Sequence, residues 1–505
     1  MGVDTLYWLD NHPSKKSLTY PAEQRKKDTL RYKRYFCGQL VDHFSYKTND
    51  EWCQPYWMDQ KHVPKRQMDR EKAPIFFEIA GEWNLNDYPQ KFGETLTEDM
   101  AKMHKAARFS LQHRYYSPDS VPDATGRKYR LLSSHQALED AAYFVEHIIR
   151  GVHNLKGPII VSGCSYGGTL ATWFRIKGKG PPLTAKVDFV DYVRSAEGYV
   201  KKKFPRCFKD LLRIFPRLDE IERKRPMDVI RGLNLCLGAG TVEATAKIVV
   251  EELKQIFTWA VLDAPQNGDT GDRVGTFCAK LQTGNFYRAW RFLIKSFQDF
   301  VSEDFKCDIP EIDGRRACYD ISYLSYKHLT EFCHVTRFTH FDDTYPWYWQ
   351  KCSEFGWFKS NNDKQEASAR ILHLPSLNDY VKGFCDKFNV SHTEIHRNID
   401  HTNIYYGTAQ SDQLKEQSKI LVINGENDPW LALSLPPTAW LNADGVSSVV
   451  IRGQHHCPVS EKHVTAVLND WLWESSMIRA YKWRDLFRKH HWYRLTKNNQ
   501  RVLVA

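Results

Sequence analysis

Pro158-Ile-Ile-Val-Ser-Gly-Cys-Ser-Tyr-Gly-Gly168 is an apolar run that passes directly into a Gly-x-Ser-x-Gly turn with Ser165 at its middle position. Glycines at 163 and 167 let a strand reverse tightly into a helix and hold the serine hydroxyl out at the tip, the arrangement of a nucleophile elbow. With 27 glycines in 505 residues, a chance Gly-x-Ser-x-Gly is expected roughly 0.1 times, so the bare match needs its context. That context is a strand-like run before the turn and, after it, Thr169-Leu-Ala-Thr-Trp-Phe-Arg175, in which Leu170 and Phe174 share one helical face. Cys164 is set aside as nucleophile, because the elbow presents its middle residue and turns the preceding one inward.

Working outward, Pro74–Ala80 and Ala107–His113 read as strands, and Ser134–Arg150 reads as a helix in which Ala137, Ala141, Phe144 and Ile148 recur at helical spacing. The alternation predicts an α/β fold with a largely parallel sheet, whose ligands meet the carboxyl ends of the strands. From about 186 to 400 the chain turns to charged, aromatic, helix-like segments, including Val242–Trp259, Asn285–Phe300 and Ser322–Val335, which predict an inserted helical domain. Strand character returns at Lys419–Gly425 and Ser447–Arg452. The first of these runs into Asp428-Pro-Trp430 and the second into Gly453-Gln-His-His-Cys457. The order serine, acid, histidine, with acid and base each after a late strand, is that of the α/β-hydrolase layout. It makes Ser165, Asp428 and His456 a candidate triad, with His455 as the alternative base. Resulting boundaries are a polar extension over 1–36, a core over 37–185 and 401–475 interrupted by the helical insertion 186–400, and a basic tail over 476–505.

Composition narrows the function class. The excess of 71 basic over 61 acidic side chains, +10, is scattered in short runs such as Lys201-Lys-Lys203. Nucleic-acid binding, which wants a concentrated stripe, is not expected. No run of about 18 apolar residues is present to span a membrane. The 12 cysteines show no Cys-x-x-Cys pair and no zinc spacing, so neither metal nor cofactor is expected. Their even number and the sequon Asn389-Val-Ser391 suit an oxidising compartment. Met1–Asp10 nevertheless lacks the basic and apolar regions of a signal peptide.

Val41-Asp-His-Phe44, Gly81-Glu82, His113-Arg-Tyr-Tyr116, Gln136-Ala-Leu-Glu-Asp140, Gly163–Gly168, Cys352-Ser-Glu-Phe-Gly356, Asp428-Pro-Trp430 and His456-Cys457 together carry a resemblance. Over most of residues 40–470 the chain resembles the serine peptidases grouped with prolylcarboxypeptidase, dipeptidyl peptidase II and the thymus-specific serine protease, and most closely the last branch. The resemblance implies an α/β-hydrolase core with a helical cap. It implies hydrolysis of a peptide substrate at a prolyl bond near one chain end, a secreted or endosomal and lysosomal setting, and a homodimer. It assigns Ser165 as nucleophile, Asp428 as orienting acid and His456 as base. The backbone N–H of Tyr166 is the first oxyanion donor by elbow geometry, and the loop around Gly81 the second. Trp430 and Glu82 are candidate pocket residues, Trp430 being equally readable as a core aromatic.

The departures are as informative as the matches. Gln112, Ser117, Ala80 and Trp83 stand where the group has glutamate, glycine and the glycines of the oxyanion loop, so Trp83 is expected to crowd that loop; Pro458-Val-Ser460 replaces an aspartate. After Lys177, the group's apolar strand beside the elbow strand gives way to Gly178-Lys-Gly-Pro-Pro-Leu183. One core strand is then unaccounted for, at about 1–3 kcal/mol for each buried backbone group left unpaired. Either another segment replaces it or the sequence lacks a piece. Two readings follow: a proline-directed serine exopeptidase, or a catalytically impaired relative with a binding or structural role. A general esterase is a weaker third.

Overall fold

The computed structural model describes residues 32–47, 49–85, 96–122, 129–176, 185–235, 241–268, 273–304, 344–360, 371–374, 376–407, 419–438, 445–457, 462–474, 493–495 and 501–503. Its first sheet has strand order β1-β2-β4-β3-β5, formed by β1 (Tyr32–Leu40), β2 (Glu51–Asp59), β3 (Ile75–Ile79), β4 (Ala107–Leu111) and β5 (Ile159–Ser162). β1 begins inside the stretch read as an extension, and Cys37–Cys53 ties it to β2. Both strands are antiparallel to their neighbours, whereas β3 runs parallel to β4 and β5. Every residue of β4 is buried and four of five in β3 are, the near-continuous burial of parallel strands covered on both faces. The helix Ser134–Phe144, capped by Ser133 accepting from the Gln136 N–H, continues as a wider π-type segment to Val152 and packs Phe144 and Ile148 onto this sheet.

Among the described residues, the strands of the expected parallel sheet fall into two hydrogen-bonded groups. β8 (Ile420–Gly425) and β9 (Val446–Ile451) pair in parallel, and β9 pairs with β11 (Arg501–Leu503), which pairs with β10 (Tyr493–Leu495). Among the described residues β5 ends one sheet and β8 ends the other, with no hydrogen-bonded strand between them. In the next described segment, which begins at Ala185, β6 (Lys186–Asp188) pairs with β7 (Gly356–Phe358) in a separate small sheet. The segment whose reduction was noted in the sequence, 177–184, lies outside the described residues, as do Ser322–Val335 and Pro458–Ser460. The two halves meet through the helices Leu96–His104 and Lys462–Glu474, where Phe76, Met100, Ile160 and Leu472 share one apolar cluster and His104 hydrogen-bonds Asn469 at 2.8 Å.

A layer of helices between Val190 and Asp304 has its own core. Its longest helix, Val242–Asn267, is capped by Thr241 and buries Val250, Leu253, Phe257, Ala260 and Val261 at helical spacing. Cys207–Cys278 closes this layer.

Candidate active site

Ser165 opens the helix Ser165–Ile176 with φ of 53°, the left-handed conformation that holds an elbow nucleophile at the tip of its turn. The glycines around it are dictated by contact rather than by flexibility. A Cβ on Gly163 would lie 2.1 Å from the Gly167 carbonyl oxygen, and one on Gly167 would lie 2.6 Å from that of Ile79. The close approach at Gly167 also brings the Gly81 loop against the elbow: a Cβ on Gly81 would lie 2.8 Å from the Gly167 nitrogen. Tyr166 N–H sits in the first turn of the helix, where a backbone donor has no intrahelical partner. Trp83 packs its indole against Gly81, as its bulk there suggested, and Gln112 braces the same loop by accepting from Leu85 N–H at 2.8 Å and donating to the Trp83 carbonyl at 3.1 Å.

The acid and base loops, which carry the candidate acid Asp428 and the candidate base His456, follow β8 and β9. Gly425 at the end of β8 admits the base loop, since a Cβ there would meet the His455 carbonyl oxygen at 2.2 Å. His456 Nδ1 and Asp428 Oδ2 are 2.7 Å apart, and Asp428 Oδ1 accepts from Trp430 N–H at 2.9 Å. Asp428 is 7% exposed, so the pair lies out of bulk water. The last turn of Val242–Asn267 leaves carbonyls without intrahelical partners, and the base loop satisfies two of them. His456 N–H donates to the Gln266 carbonyl at 2.9 Å, and His455 Nδ1 donates to that of Pro265 at 3.0 Å. The two histidines are thus placed differently: His456 faces Asp428, and His455 is anchored to the helical layer beside Tyr199.

Ser165 Oγ donates to Glu82 Oε1 at 3.2 Å, while His456 Nε2 is buried without a hydrogen-bond partner. Burial raises the Glu82 carboxyl above its ordinary range, favouring its neutral form. Ser165, His456, Asp428 and Trp430 line one cavity of about 1230 Å³, which extends between the facing edges of β5 and β8. Trp430 has a second side: its ring packs on Phe189, Tyr192 and Trp357, with centroids 5.2, 5.5 and 5.6 Å away, and it lies 6.1 Å from the His456 ring. Asn389, of the sequon, is exposed with φ of 58° at a helix end far along the chain from these loops. Among the described residues no cluster of His, Cys, Asp and Glu could hold a metal ion.

Sequence reasoning missed the polar network beneath the elbow. Tyr166 points its hydroxyl inward, accepting from Gln350 Nε2 at 2.9 Å and donating to His113 Nε2 at 3.1 Å, while His113 Nδ1 donates to the Arg114 carbonyl at 2.7 Å. Glu354, from the Cys-x-Glu-Phe-Gly stretch, accepts from Gln350 and Ser134. Burial holds His113 at about 4 rather than its ordinary 6.5. The unfolded chain therefore takes up a proton between these values that the native state refuses, and stability present above pH 6.5 is lost as the pH falls toward 4. The loss is about 3 kcal/mol when complete. Buried Glu354 and Glu82 oppose it, since their raised pKa values favour the native state as pH falls. His113→Gln is expected to flatten this part of the profile relative to wild type, as read from urea unfolding at pH 7, 5.5 and 4.5; parallel profiles would contradict it.

Four disulfides lie among the described residues: Cys37–Cys53, Cys164–Cys457, Cys207–Cys278 and Cys352–Cys385. Cys164 is half-buried rather than turned fully inward, and its sulfur is bonded, so it offers no thiolate. No helix among the described residues is long and apolar enough to cross a membrane.

Comparison with known proteins agrees with this architecture. The chain is similar to the thymus-specific serine protease of Mus musculus, 24% identical with 87% of each chain covered, and to that of Homo sapiens, 24% identical over 83% of this chain and 80% of the relative. It is also similar to the lysosomal Pro-X carboxypeptidase of Mus musculus, 33% identical over 31% of this chain and 30% of that protein. The family profile for serine carboxypeptidase S28 matches residues 39–464, from the first strand to the last core helix, and the chain belongs to this family of serine peptidases.

Proposed function

We propose that the chain is a serine exopeptidase that cleaves prolyl bonds near a peptide terminus through an acyl-enzyme. The observation that carries the reading is the 2.7 Å contact of His456 Nδ1 with Asp428 Oδ2 in the cavity that also holds Ser165. In this reading Asp428 fixes the tautomer that leaves Nε2 as acceptor, and His456 takes the Ser165 proton as Oγ attacks the scissile carbonyl. Tyr166 N–H and the Gly81 loop stabilise the oxyanion, and His456 returns the proton to the leaving amine. Ser165 must first exchange its bond to Glu82 for one to His456. Trp430 walls the prolyl pocket and Glu82 borders it. The helical layer acts as a cap, and the site closes a core sheet short of one strand after Lys177. Secretion or delivery to endosomes and lysosomes, glycosylation at Asn389 and a homodimer complete the proposal; the disulfides suit such a compartment.

A second reading, a relative that binds peptides without turnover, draws on two observations: the Ser165 hydroxyl is engaged by Glu82, and among the described residues no strand pairs β5 with β8. Two peptide sets separate these readings. One carries proline penultimate to a free C-terminus, the other carries proline second from a free N-terminus. Release of one terminal residue from the first set identifies a carboxypeptidase, and release of a dipeptide from the second a dipeptidyl peptidase. A folded enzyme that turns over neither, but cleaves peptides lacking proline, would contradict the proline specificity; binding without cleavage would favour the second reading.

A further inference from the structure

The nucleophile and the base stand on different halves of the sheet. Ser165 follows β5 and His456 follows β9, and among the described residues no strand pairing joins these halves. Besides the packing of Trp430 and Leu433 on the core of the first half, a covalent link joins them at the catalytic end: Cys164–Cys457, a disulfide between residues 293 positions apart whose Cα atoms are 5.6 Å apart. Each cysteine is the chain neighbour of one of the two side chains whose spacing governs proton transfer. The other three disulfides among the described residues each stay within one part of the fold: Cys37–Cys53 within the first strand pair, Cys207–Cys278 within the helical layer, and Cys352–Cys385 within a smaller cluster.

The backbone on both sides of this bond is held in an uncommon conformation. Ser165 has φ of 53° and Cys457 φ of 52°, and a side-chain-bearing residue keeps such a conformation when its surroundings impose it. For Ser165 the elbow supplies those surroundings. For Cys457 the bond to Cys164 does, together with the hydrogen bonds of His455 and His456 to the helical layer. Acylation needs Ser165 Oγ within hydrogen-bond reach of His456 Nε2, which is buried and unbonded here.

We propose that the Cys164–Cys457 disulfide is a positioning element for catalysis: it ties the turn after β5, which carries the nucleophile, to the loop after β9, which carries the base, so that turnover requires it to be oxidised. The inference rests on the reading of Ser165 and His456 as nucleophile and base. Opening the bond transfers two electrons and two protons from a dithiol, which becomes a disulfide, and leaves two thiols. Both cysteines line the large cavity, where a small reductant can reach them. A displacement of about 1 Å between reacting groups can lower a rate by about 10²-fold, and that is the scale expected here.

The test compares wild type, Cys164→Ala/Cys457→Ala, and Cys207→Ala/Cys278→Ala as a disulfide loss remote from the reacting groups. Expected for the first variant is a fall of about 10²-fold in kcat and in the rate of fluorophosphonate labelling, with KM little changed. The second variant is expected to lose thermal stability while labelling at close to the wild-type rate. Should the first variant not fold, brief dithiothreitol treatment of folded wild type, with alkylation mapping to Cys164 and Cys457, is expected to slow labelling, and oxidised glutathione to restore it. Wild-type labelling in the Cys164→Ala/Cys457→Ala variant, or an equal loss in both variants, would overturn the positioning role and leave the serine-peptidase reading standing. A folded, oxidised wild type that takes up no probe would overturn both.

Discussion

Ser165→Ala is expected to lower kcat for peptide hydrolysis by about 10⁶-fold with the fold intact, because it removes the atom that forms the acyl-enzyme. Ser165 is half-buried at a helix start, and among the described residues its hydroxyl makes one hydrogen bond, the 3.2 Å bond to Glu82. Alanine accepts the same backbone with little more strain than serine, so a large change in thermal stability is not expected. The measurement is kcat and KM on the peptide that the wild type turns over fastest, beside a thermal unfolding curve. Activity retained within tenfold would remove Ser165 from the mechanism.

The second large effect separates two adjacent histidines. His456→Ala is expected to cost about as much as the serine substitution, since nucleophile and base act as a unit. Asp428→Asn, which allows the wrong tautomer while leaving the geometry in place, should cost about 10⁴-fold. His455→Ala removes the ring bonded at 3.0 Å to Pro265 and leaves the His456 N–H bond to Gln266 and the Asp428 contact untouched. Its expected loss is less than tenfold. Comparable loss from both alanine variants would mean that the base loop, rather than one imidazole, is what the reaction depends on.

Much of this geometry was legible in the chain because it is written locally. Apolar runs ending in turn residues marked β3, β4, β5, β8 and β9 to within a residue or two, since a buried parallel strand is a short continuous apolar segment bounded by turns. The order of Ser165, Asp428 and His456 followed from the same strands. What escaped is tertiary. Pairing Cys164 with Cys457 requires knowing that the ends of β5 and β9 meet, and spacing among twelve cysteines does not specify partners. Gln266 has no local signal as the seat of the base loop, because its role comes from orphan carbonyls at a helix end. Glu82, a candidate pocket residue, also accepts from the Ser165 hydroxyl, a contact with no local signal in the sequence. Gly178, Gly180, Pro181 and Pro182 disfavour a central strand in the sequence, and that segment lies outside the described residues.

The central claim is that Ser165 is the atom acylated. Incubating the folded protein with a fluorophosphonate and mapping the adduct by peptide mass spectrometry tests it most directly. The account predicts one adduct per chain, on Ser165, absent from Ser165→Ala and slowed in His456→Ala. No adduct on folded, oxidised protein, or an adduct on another residue, would contradict it.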